Sequence, residues 1–198
     1  MSINQGLSGS VREPTIALMK TILWATLSAN GNYARTSERH PPKPQALGDF
    51  AKETAAHGNF IVGRTTFEEF QANAQRRPSG PPPKCDIVVV SKSLVLPAGA
   101  PAQRAADPQA ALALLSTKGH ATAVVVGGEH LHNAFLAADL VDELVLLITP
   151  WFEDEGLKLI LPKGERRETK LIEHASLGGG VIKLRYALGP KDGWCSPS

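Results

Sequence analysis

Short runs of β-branched residues, each followed by a turn and a helical pattern, constrain the fold of this chain more than any other feature. The clearest run covers residues 123–126, stops at Gly127-Gly128 and continues as an amphipathic helix. Another strand is predicted over residues 86–91, whose residues 87–90 are all apolar, which is typical of a strand buried on both faces of a sheet. Strands that alternate with helices predict an α/β fold with a mostly parallel sheet.

The rest of the chain supplies the other elements of such a sheet. A first helix is predicted before Gly58, with Leu47, Phe50, Ala51 and Thr54 on its apolar face. The last two predicted strands flank three consecutive glycines, which predicts an antiparallel hairpin. The remaining helices are predicted over residues 65–74, 108–119 and after residue 128, and the remaining strands over residues 20–28, 59–63, 143–149, 171–175 and 181–188.

Length and composition favour one compact domain. The 198 residues are 42% hydrophobic, enough for a substantial core, and we assign residues 16–189 to one domain with tails at 1–15 and 190–198. The formal net charge of +2 comes from near-equal numbers of acids and bases, so no basic stripe indicates nucleic acid. Two cysteines without metal-ligand spacing, and no run of about 18 apolar residues, predict a cytoplasmic protein without a metal or a membrane span.

Four turn motifs fall where predicted strands end. They are Asn30-Gly31, Gly63-Arg64, Ser91-Lys92 and Gly127-Gly128. In an open parallel sheet the carboxyl ends of the strands share one edge, and the ligand crevice lies beyond it. We therefore expect the four motifs to converge on a binding site for a small molecule.

The residues alone allow two interpretations of the Gly127-Gly128 pair. Two residues without side chains let a ligand approach the main chain, and the first turn of the following helix offers unpaired N–H groups to an anion such as a phosphate. The same glycines equally suit close packing of the helix on the sheet. Arg64 with Ser91 and Lys92 would supply the charge and donors that a 2′-phosphate needs, although arginines at helix starts are commonly only solvated.

The motifs resemble, in the same order, those of the dihydrofolate reductase-like superfamily, in particular the C-terminal reductase domain of the riboflavin biosynthesis protein RibD. Residues 62–68, Val-Gly-Arg-Thr-Thr-Phe-Glu, resemble the family's Gly-Arg-x-Thr-aromatic-Glu signature, and Val126-Gly127-Gly128 resembles its glycine pair. Residues 140–144, followed by Pro150, and residues 180–186 resemble its later strands. The resemblance runs from residue 20 to residue 188 and implies a three-layer dihydrofolate reductase-like fold, with a mostly parallel central sheet and an antiparallel C-terminal hairpin.

The resemblance also implies NADPH as the cofactor and a homodimer as the assembly. By similarity, residues 127–131 would lie around the pyrophosphate, residues 63–66 would grip the phosphates, and the first strand would line the nicotinamide pocket. Thr65 or Thr66 as a plain helix cap, and His130 as a surface residue, stay open as alternatives. The implied cofactor-binding residues are Ala25, Gly63, Arg64, Thr65, Thr66, Ser91, Lys92, Gly127, Gly128, Glu129, His130 and Leu131.

The sequence departs from the family at the position of the carboxylate that would deliver a proton. In dihydrofolate reductases a carboxylate on the first helix delivers a proton, but that position falls near Leu47, and Asp49, two residues later, lies on another helix face. Asp49 is more simply a charged residue of the first helical turn, and Asn30 a turn residue. Both are therefore only candidates for catalysis, and reduction of dihydrofolate is not expected.

Two further departures concern the substrate. Val126 stands where the riboflavin-pathway pyrimidine reductases typically carry a glutamate, and acids occupy residues 153–155 where the family has a glycine-containing loop. Asn30, Trp151 and Phe152 are the candidate substrate-binding residues, with core packing as the simpler role of both aromatic rings. The loop before the first helix carries basic residues that could meet an anionic substrate: Arg35, Arg39 and His40.

These observations predict an NADPH-dependent reductase of the RibD C-terminal type that transfers hydride to a small heterocyclic or related substrate. One alternative is the 5-amino-6-(5-phosphoribosylamino)uracil reductase of riboflavin biosynthesis, which Val126 argues against. The other is a non-catalytic nucleotide-binding protein of the same fold, which the missing carboxylate favours. The zinc deaminase to which this domain is commonly fused is excluded for this chain, which has no His-x-Glu with a Pro-Cys-x-x-Cys motif.

Overall fold

The computed structural model of the protein describes residues 19–33, 42–76, 85–154 and 156–190. Within them the chain forms the strands β1 (Lys20–Leu27), β2 (Asn59–Gly63), β3 (Asp86–Val90), β4 (Ala102–Ala105), β5 (Thr122–Val125), β6 (Glu143–Ile148), β7 (Thr169–Gly178) and β8 (Val181–Leu188). The helices are α1 (Pro44–His57), α2 (Arg64–Arg76), α3 (Pro108–Thr117) and α4 (Glu129–Ala137). The predicted tails, apart from residue 190, and the basic loop residues Arg35, Arg39 and His40 lie outside the described residues.

All the strands belong to one sheet with the order β4-β3-β2-β5-β1-β6-β8-β7. The first six strands in this order pair in parallel, and β8 pairs antiparallel with β6 and with β7. The α/β fold predicted from the sequence, with a mostly parallel sheet and an antiparallel C-terminal hairpin, is thereby confirmed. β4 was not predicted, because its four residues, Ala-Gln-Arg-Ala, contain no apolar run.

Helices on both faces of the sheet bury alternate residues of the central strands. On one face Ile61 packs in a core with Leu115 of α3 and Phe135 of α4. On the other face Val62 packs in a core with Phe67 of α2. Because both faces are covered, the central strands read as continuous apolar runs rather than as alternating patterns.

Local signals determine where two of the helices begin or end. Asp107 Oδ1 accepts a hydrogen bond from Ala110 N at 2.8 Å, and Pro108 occupies the first turn of α3. Gly58 ends α1 in the left-handed conformation, with φ of 66°. Both boundaries agree with the prediction. In the described part of the chain no helix is long and apolar enough to cross a membrane.

The buried face of α1 differs from the predicted one. Of the predicted apolar face, Thr54 is buried, but Leu47 is 51% exposed and Ala51 is exposed as well. Asp49 and Glu53 are buried instead. The prediction was right for Thr54 and for Phe50, whose ring packs against Trp24 and Phe60, and wrong for Leu47 and Ala51, because two carboxylates take part of the buried face.

Lys183 of β8 binds both carboxylates of α1. Its Nζ donates to Asp49 Oδ1 at 2.7 Å and to Glu53 Oε1 at 2.8 Å, and Trp24 Nε1 donates to Asp49 Oδ2 at 2.9 Å. Burial alone would lower the pKa of Lys183, but its hydrogen bonds to the two carboxylates outweigh burial and raise that pKa. Asp49, predicted as a charge of the first helical turn, is therefore a buried residue of the second turn that ties α1 to β1 and β8.

Replacing Lys183 by methionine should destabilise the fold. Lys183→Met leaves Asp49 and Glu53 buried without their shared cation, and breaking a buried ion pair typically costs about 3–5 kcal/mol. Urea denaturation should show a fall of this size in the free energy of unfolding. Lys170→Met, at an exposed position of β7, is the control and should change that free energy by less than about 0.5 kcal/mol. Equal stabilities of the two variants would contradict a structural role for Lys183.

Candidate functional site

The four strand-end motifs lie at one edge of the sheet, because the strands that carry them run parallel. Two of the motifs are joined directly. Gly63 N donates to Gly127 O at 3.1 Å, and Val126 N donates to Ile61 O at 2.9 Å. A Cβ added at Gly63 would lie 3.6 Å from Gly127 O, so the two main chains run side by side. The predicted convergence is present.

Thr66 of α2 packs against the glycine pair. A Cβ added at Gly127 would lie 3.3 Å from Thr66 Cγ2, and one added at Gly128 would lie 3.3 Å from Thr66 Oγ1. A side chain at either position would have to displace Thr66. Gly128 is also the N-cap of α4, so the N-terminus of this helix lies at the same edge as the threonine hydroxyl. Close packing and anion binding are thus compatible interpretations of the same two glycines.

Polar and basic side chains surround the turn that follows β3. Ser91 Oγ accepts hydrogen bonds from the main-chain N–H groups two and three residues later, at 3.3 and 3.1 Å. Arg104 of β4 donates from Nη1 to Ser91 O at 3.3 Å and to Lys92 O at 3.0 Å. Arg64 Nη1 reaches the turn from α2 and lies 3.5 Å from Ser93 Oγ. The cationic side chains of Arg64, Lys92 and Arg104 therefore border the turn.

Two of these residues, Ser93 and Arg104, were missed by the sequence reasoning. The Ser-x-Ser pattern after a strand is a signal for such a turn, but the place of Arg104 depends on the pairing of β3 with β4. Arg64 also forms an ion pair with Glu68, with Nε 3.0 Å from Oε1 and both side chains about half exposed, at 53% and 47%. A pair this exposed contributes little to stability, so Arg64 can exchange it for a ligand anion.

A surface groove of about 650 Å³ adjoins the turn after β3. Leu94, Leu96 and Leu114 contribute apolar side chains to its lining, and Lys92 and Arg104 contribute positive charge. A groove with this lining suits an apolar ring that carries an anionic group.

β1 pairs with its two neighbours over different lengths. It pairs with β6 as far as Leu27 but with β5 only as far as Leu23. The last residues of β1 therefore extend beyond the end of β5, at the point where β5 turns away through Gly127. Ala25 lies in this part of β1 and is buried in the core.

Asn30 ties the turn after β1 to the segment after β6. Its Nδ2 donates to Glu153 O at 2.5 Å, and its Oδ1 accepts from Ser28 Oγ at 2.8 Å and from Glu153 N at 3.2 Å. Ala29 N also donates to Trp151 O at 2.7 Å. Both polar atoms of the Asn30 side chain are engaged, as the predicted turn residue would require.

The segment after β6 presents its two aromatic side chains differently. Phe152 is 84% exposed, so core packing, its simpler predicted role, is wrong. Trp151 is half-buried, and Nζ of Lys43, the N-cap of α1, lies 4.7 Å from its ring centroid. The acidic run at 153–155 is half-buried at its first residue and exposed at its second, and its third residue lies outside the described residues. An exposed ring on a fixed segment offers a stacking surface to a flat molecule.

The remaining predicted cofactor residues lie in the first turns of α4 and α2. Leu131 is buried in the core, and Glu129 Oε1 accepts from Asn133 Nδ2 at 2.6 Å. His130 projects into solvent, with its Nδ1 3.1 Å from Glu129 Oε2, and Thr65 is exposed. Of this group, only Thr65 and His130 have side chains exposed at the edge, while residues 129–131 offer mainly main-chain groups.

Neither of the two catalytic candidates presents a free proton donor. Asn30 is engaged in the turn, and both carboxylate oxygens of Asp49 accept hydrogen bonds from Lys183 and Trp24. The described residues of this edge supply main-chain N–H groups, hydroxyls, guanidinium groups and apolar surface. Such a set can hold and orient an extended anionic ligand.

Solved structures share this architecture. A Shewanella sp. PV-4 protein assigned to riboflavin biosynthesis has 17% identity and a TM-score of 0.68, over 87% of this chain and 100% of that one. A pyrimidine reductase-like protein from Corynebacterium diphtheriae has 15% identity and a TM-score of 0.66, over 89% and 95% of the two chains. The riboflavin biosynthesis reductase Rib7 of Saccharomyces cerevisiae has 17% identity and a TM-score of 0.58, over 89% and 92%. At these identities the likeness shows the fold alone.

Sequence comparison defines the family. No curated protein matches the chain significantly. The family model of the RibD C-terminal domain, in contrast, matches residues 20–183, which include every strand-end motif of the sheet edge. The protein therefore belongs to the RibD C-terminal domain family.

Proposed function

We propose that this protein is a cytoplasmic, NADPH-dependent reductase that acts on a small heterocyclic or related substrate. The observation that carries the proposal is the junction of Gly63, Thr66 and Gly127-Gly128 at one sheet edge, beside the cationic turn after β3. Membership of the RibD C-terminal domain family supports a reductase of this type.

The edge fits the pyrophosphate of a dinucleotide. The N-terminus of α4 offers main-chain N–H groups and the positive end of the helix dipole. Glycine at 127 and 128 lets the chain turn tightly against Thr66, which brings a hydroxyl donor to the same place. These groups would bind the two phosphates without any basic side chain.

The turn after β3 fits a 2′-phosphate. Arg64, Lys92 and Arg104 border the turn, and guanidinium groups bind phosphate through paired, charge-assisted hydrogen bonds. The hydroxyls of Ser91 and Ser93 add further donors. The leucine-lined groove beside the turn would take the adenine ring.

We propose that the nicotinamide binds where β1 extends beyond the end of β5, a place that we call the cleft. NADPH, when bound, supplies the hydride. The chain contributes position: the main chain around Ala25 borders the ring, and Asn30 holds the segment with the exposed Phe152 ring at the mouth of the cleft. Fixing two reactants in contact is the largest contribution that a protein makes to a reaction of this kind.

One alternative is the 5-amino-6-(5-phosphoribosylamino)uracil reductase of riboflavin biosynthesis. The names of two structures with this fold refer to riboflavin biosynthesis, which favours it. Val126 argues against it, because this buried side chain brings no polar group to the cleft where those enzymes typically carry a glutamate. The acids at 153–154, fixed at the mouth by Asn30, would also repel a substrate phosphate. Turnover of that pyrimidine with NADPH would establish the alternative.

A second alternative is a nucleotide-binding protein of the same fold without catalysis. The engagement of Asp49 with Lys183 and Trp24 favours it, because this carboxylate is not available to donate a proton. NADPH binding without oxidation across a broad panel of imines and carbonyls would support this alternative over the reductase.

We also propose that two copies associate through the sheet face formed by β6, β8 and β7. Ile182 and Leu171 are about half exposed on this face, and Leu146, Leu184 and Tyr186 are only partly buried. A contiguous apolar patch of this kind marks an interaction site. A second copy is the fitting partner, because the same apolar face on two chains can pack against itself about a two-fold axis.

Titration calorimetry tests the cofactor. NADPH should bind the wild-type protein with a dissociation constant below about 1 mM, the weak end of the usual range. The absence of a heat change up to that concentration would remove the cofactor from the proposal.

Arg64→Ala should weaken NADPH binding far more than NADH binding. The variant loses charge-assisted hydrogen bonds to the 2′-phosphate, worth about 1.5–3 kcal/mol, so the affinity for NADPH should fall roughly 10- to 150-fold. NADH lacks this phosphate, and its affinity should stay near the wild-type value. Arg166→Ala, at an exposed loop position, is the control and should change neither affinity. An equal loss for both nucleotides would place the 2′-phosphate elsewhere.

Leu171→Asp should convert a dimer into a monomer. The substitution buries a charge in the proposed interface, and light scattering would report the mass. Lys170→Asp, at the neighbouring exposed position on the opposite side of β7, is the control and should leave the mass at twice that of the chain. A wild-type protein that is monomeric at micromolar concentration would refute the interface.

A further inference from the structure

A half-buried side chain, Tyr33, and a buried one, His132, connect the turn after β1 with the end of β5. Tyr33 follows the β1 turn, forms an antiparallel bridge with Leu27, and hydrogen-bonds through its hydroxyl to His132 Nδ1. His132 lies four residues after Gly128, is almost completely buried, and has its Nε2 3.1 Å from Val125 O. The link thus runs from the turn at the nicotinamide side to the strand end that precedes the glycine pair.

His132 holds the glycine turn on both sides. Its main-chain N donates to Gly128 O at 3.1 Å, while its side chain binds Val125 O. Val125 is the last residue of β5 that pairs with β1, opposite Leu23. The imidazole therefore supplies a hydrogen bond at the point where the strand pairing ends, and residues 125–128 are fixed between its two contacts.

The protonation states of the two residues suit a fixed link. A neutral imidazole with its hydrogen on Nε2 donates to Val125 O, and its Nδ1 accepts from the Tyr33 hydroxyl. Burial lowers the pKa of His132 to about 4, and burial, with a smaller contribution from the charge of Glu129, raises the pKa of Tyr33. At neutral pH neither group changes its charge, so the pair is not suited to deliver a proton.

We infer that Tyr33 and His132 are positioning residues, which hold the Gly127-Gly128 turn at a fixed separation from the β1 turn and so set the affinity of the cleft for its dinucleotide. This inference rests on the proposed function. Because the pyrophosphate is common to NADPH and NADH, loss of the link weakens both nucleotides by the same factor. Loss of Arg64, in contrast, acts on NADPH alone.

The test compares three variants with two controls. Tyr33→Phe removes only the hydroxyl, His132→Leu removes both side-chain hydrogen bonds, and His132→Gln keeps an N–H that can reach Val125 O. The controls, Thr169→Val and His174→Gln, remove a hydroxyl and an imidazole at exposed positions of β7, away from the cleft. The measurements are the dissociation constants of NADPH and NADH, and amide hydrogen exchange of residues 124–131 in the protein without nucleotide.

Tyr33→Phe and His132→Leu should each weaken both nucleotides equally, by about two- to tenfold, the usual effect of one lost hydrogen bond. His132→Gln should recover most of the affinity, a rescue that a loss through general unfolding would not show. Exchange at residues 126–129 should accelerate in the two damaging variants and stay unchanged in the controls.

Wild-type affinities for both nucleotides in Tyr33→Phe and His132→Leu would overturn the inference. If His132→Leu does not fold, Tyr33→Phe decides alone. If the wild-type protein binds neither nucleotide, the proposed function has failed. In that case the amide hydrogen exchange of residues 126–129 in Tyr33→Phe and His132→Leu decides. Exchange at the wild-type rate overturns the positioning role of Tyr33 and His132, and accelerated exchange supports it.

Discussion

The whole site depends on the unequal lengths over which β1 pairs with its two parallel neighbours. The pairing with β5 ends at Leu23 and Val125, whereas the pairing with β6 continues to Leu27 and Ile148. Where the shorter pairing ends, β5 leaves through the glycine pair and α4 begins at the same edge. Where the longer one ends, the turn at Asn30 begins. The proposed cleft, the helix N-terminus beside it and the aromatic segment next to it all depend on this difference, at the carboxyl ends where open parallel sheets bind ligands.

On the face of the sheet that α1 covers, buried charges act together with apolar packing to orient this helix. Lys183 bridges Asp49 and Glu53, and Arg185 extends the network by donating from Nε to Glu143 Oε2 at 2.8 Å. Buried ion pairs add little net stability over apolar packing of the same volume, but they are costly to break and strict in geometry. Lys43, the N-cap of α1, lies over the Trp151 ring. Because the ion-pair network holds α1 in place, it also holds this end of the helix, which borders the mouth of the cleft.

Sequence reasoning succeeded where the determining residues are close together in the chain. The strand, glycine pair and helix at 123–131 were predictable because all their signals fall within one short segment. The buried face of α1 was not, because the partner that makes Asp49 a core residue, Lys183, lies 134 positions away. The position of Arg104 was not predicted for the same reason. Arg104 lies beside Ser91 because β4, an edge strand without an apolar run, pairs with β3. The roles of the cofactor residues stay predictions, whereas the edge on which they lie is a property of the fold.

The turn at Asn30 bears on the proposed substrate more than on the proposed cofactor. The amide group of Asn30 donates to Glu153 O and accepts from Glu153 N and Ser28 Oγ. An aspartate at this position would have no side-chain N–H, so it could not make the first of these bonds. Asparagine instead uses its polar atoms to hold the aromatic, acidic segment in place. The proposed dinucleotide end of the site would rely on main-chain groups and glycines, which Asn30 does not contact. At the proposed substrate end Asn30 fixes a segment with an exposed aromatic ring and acidic residues, and under the proposed function this segment favours a flat substrate without a phosphate.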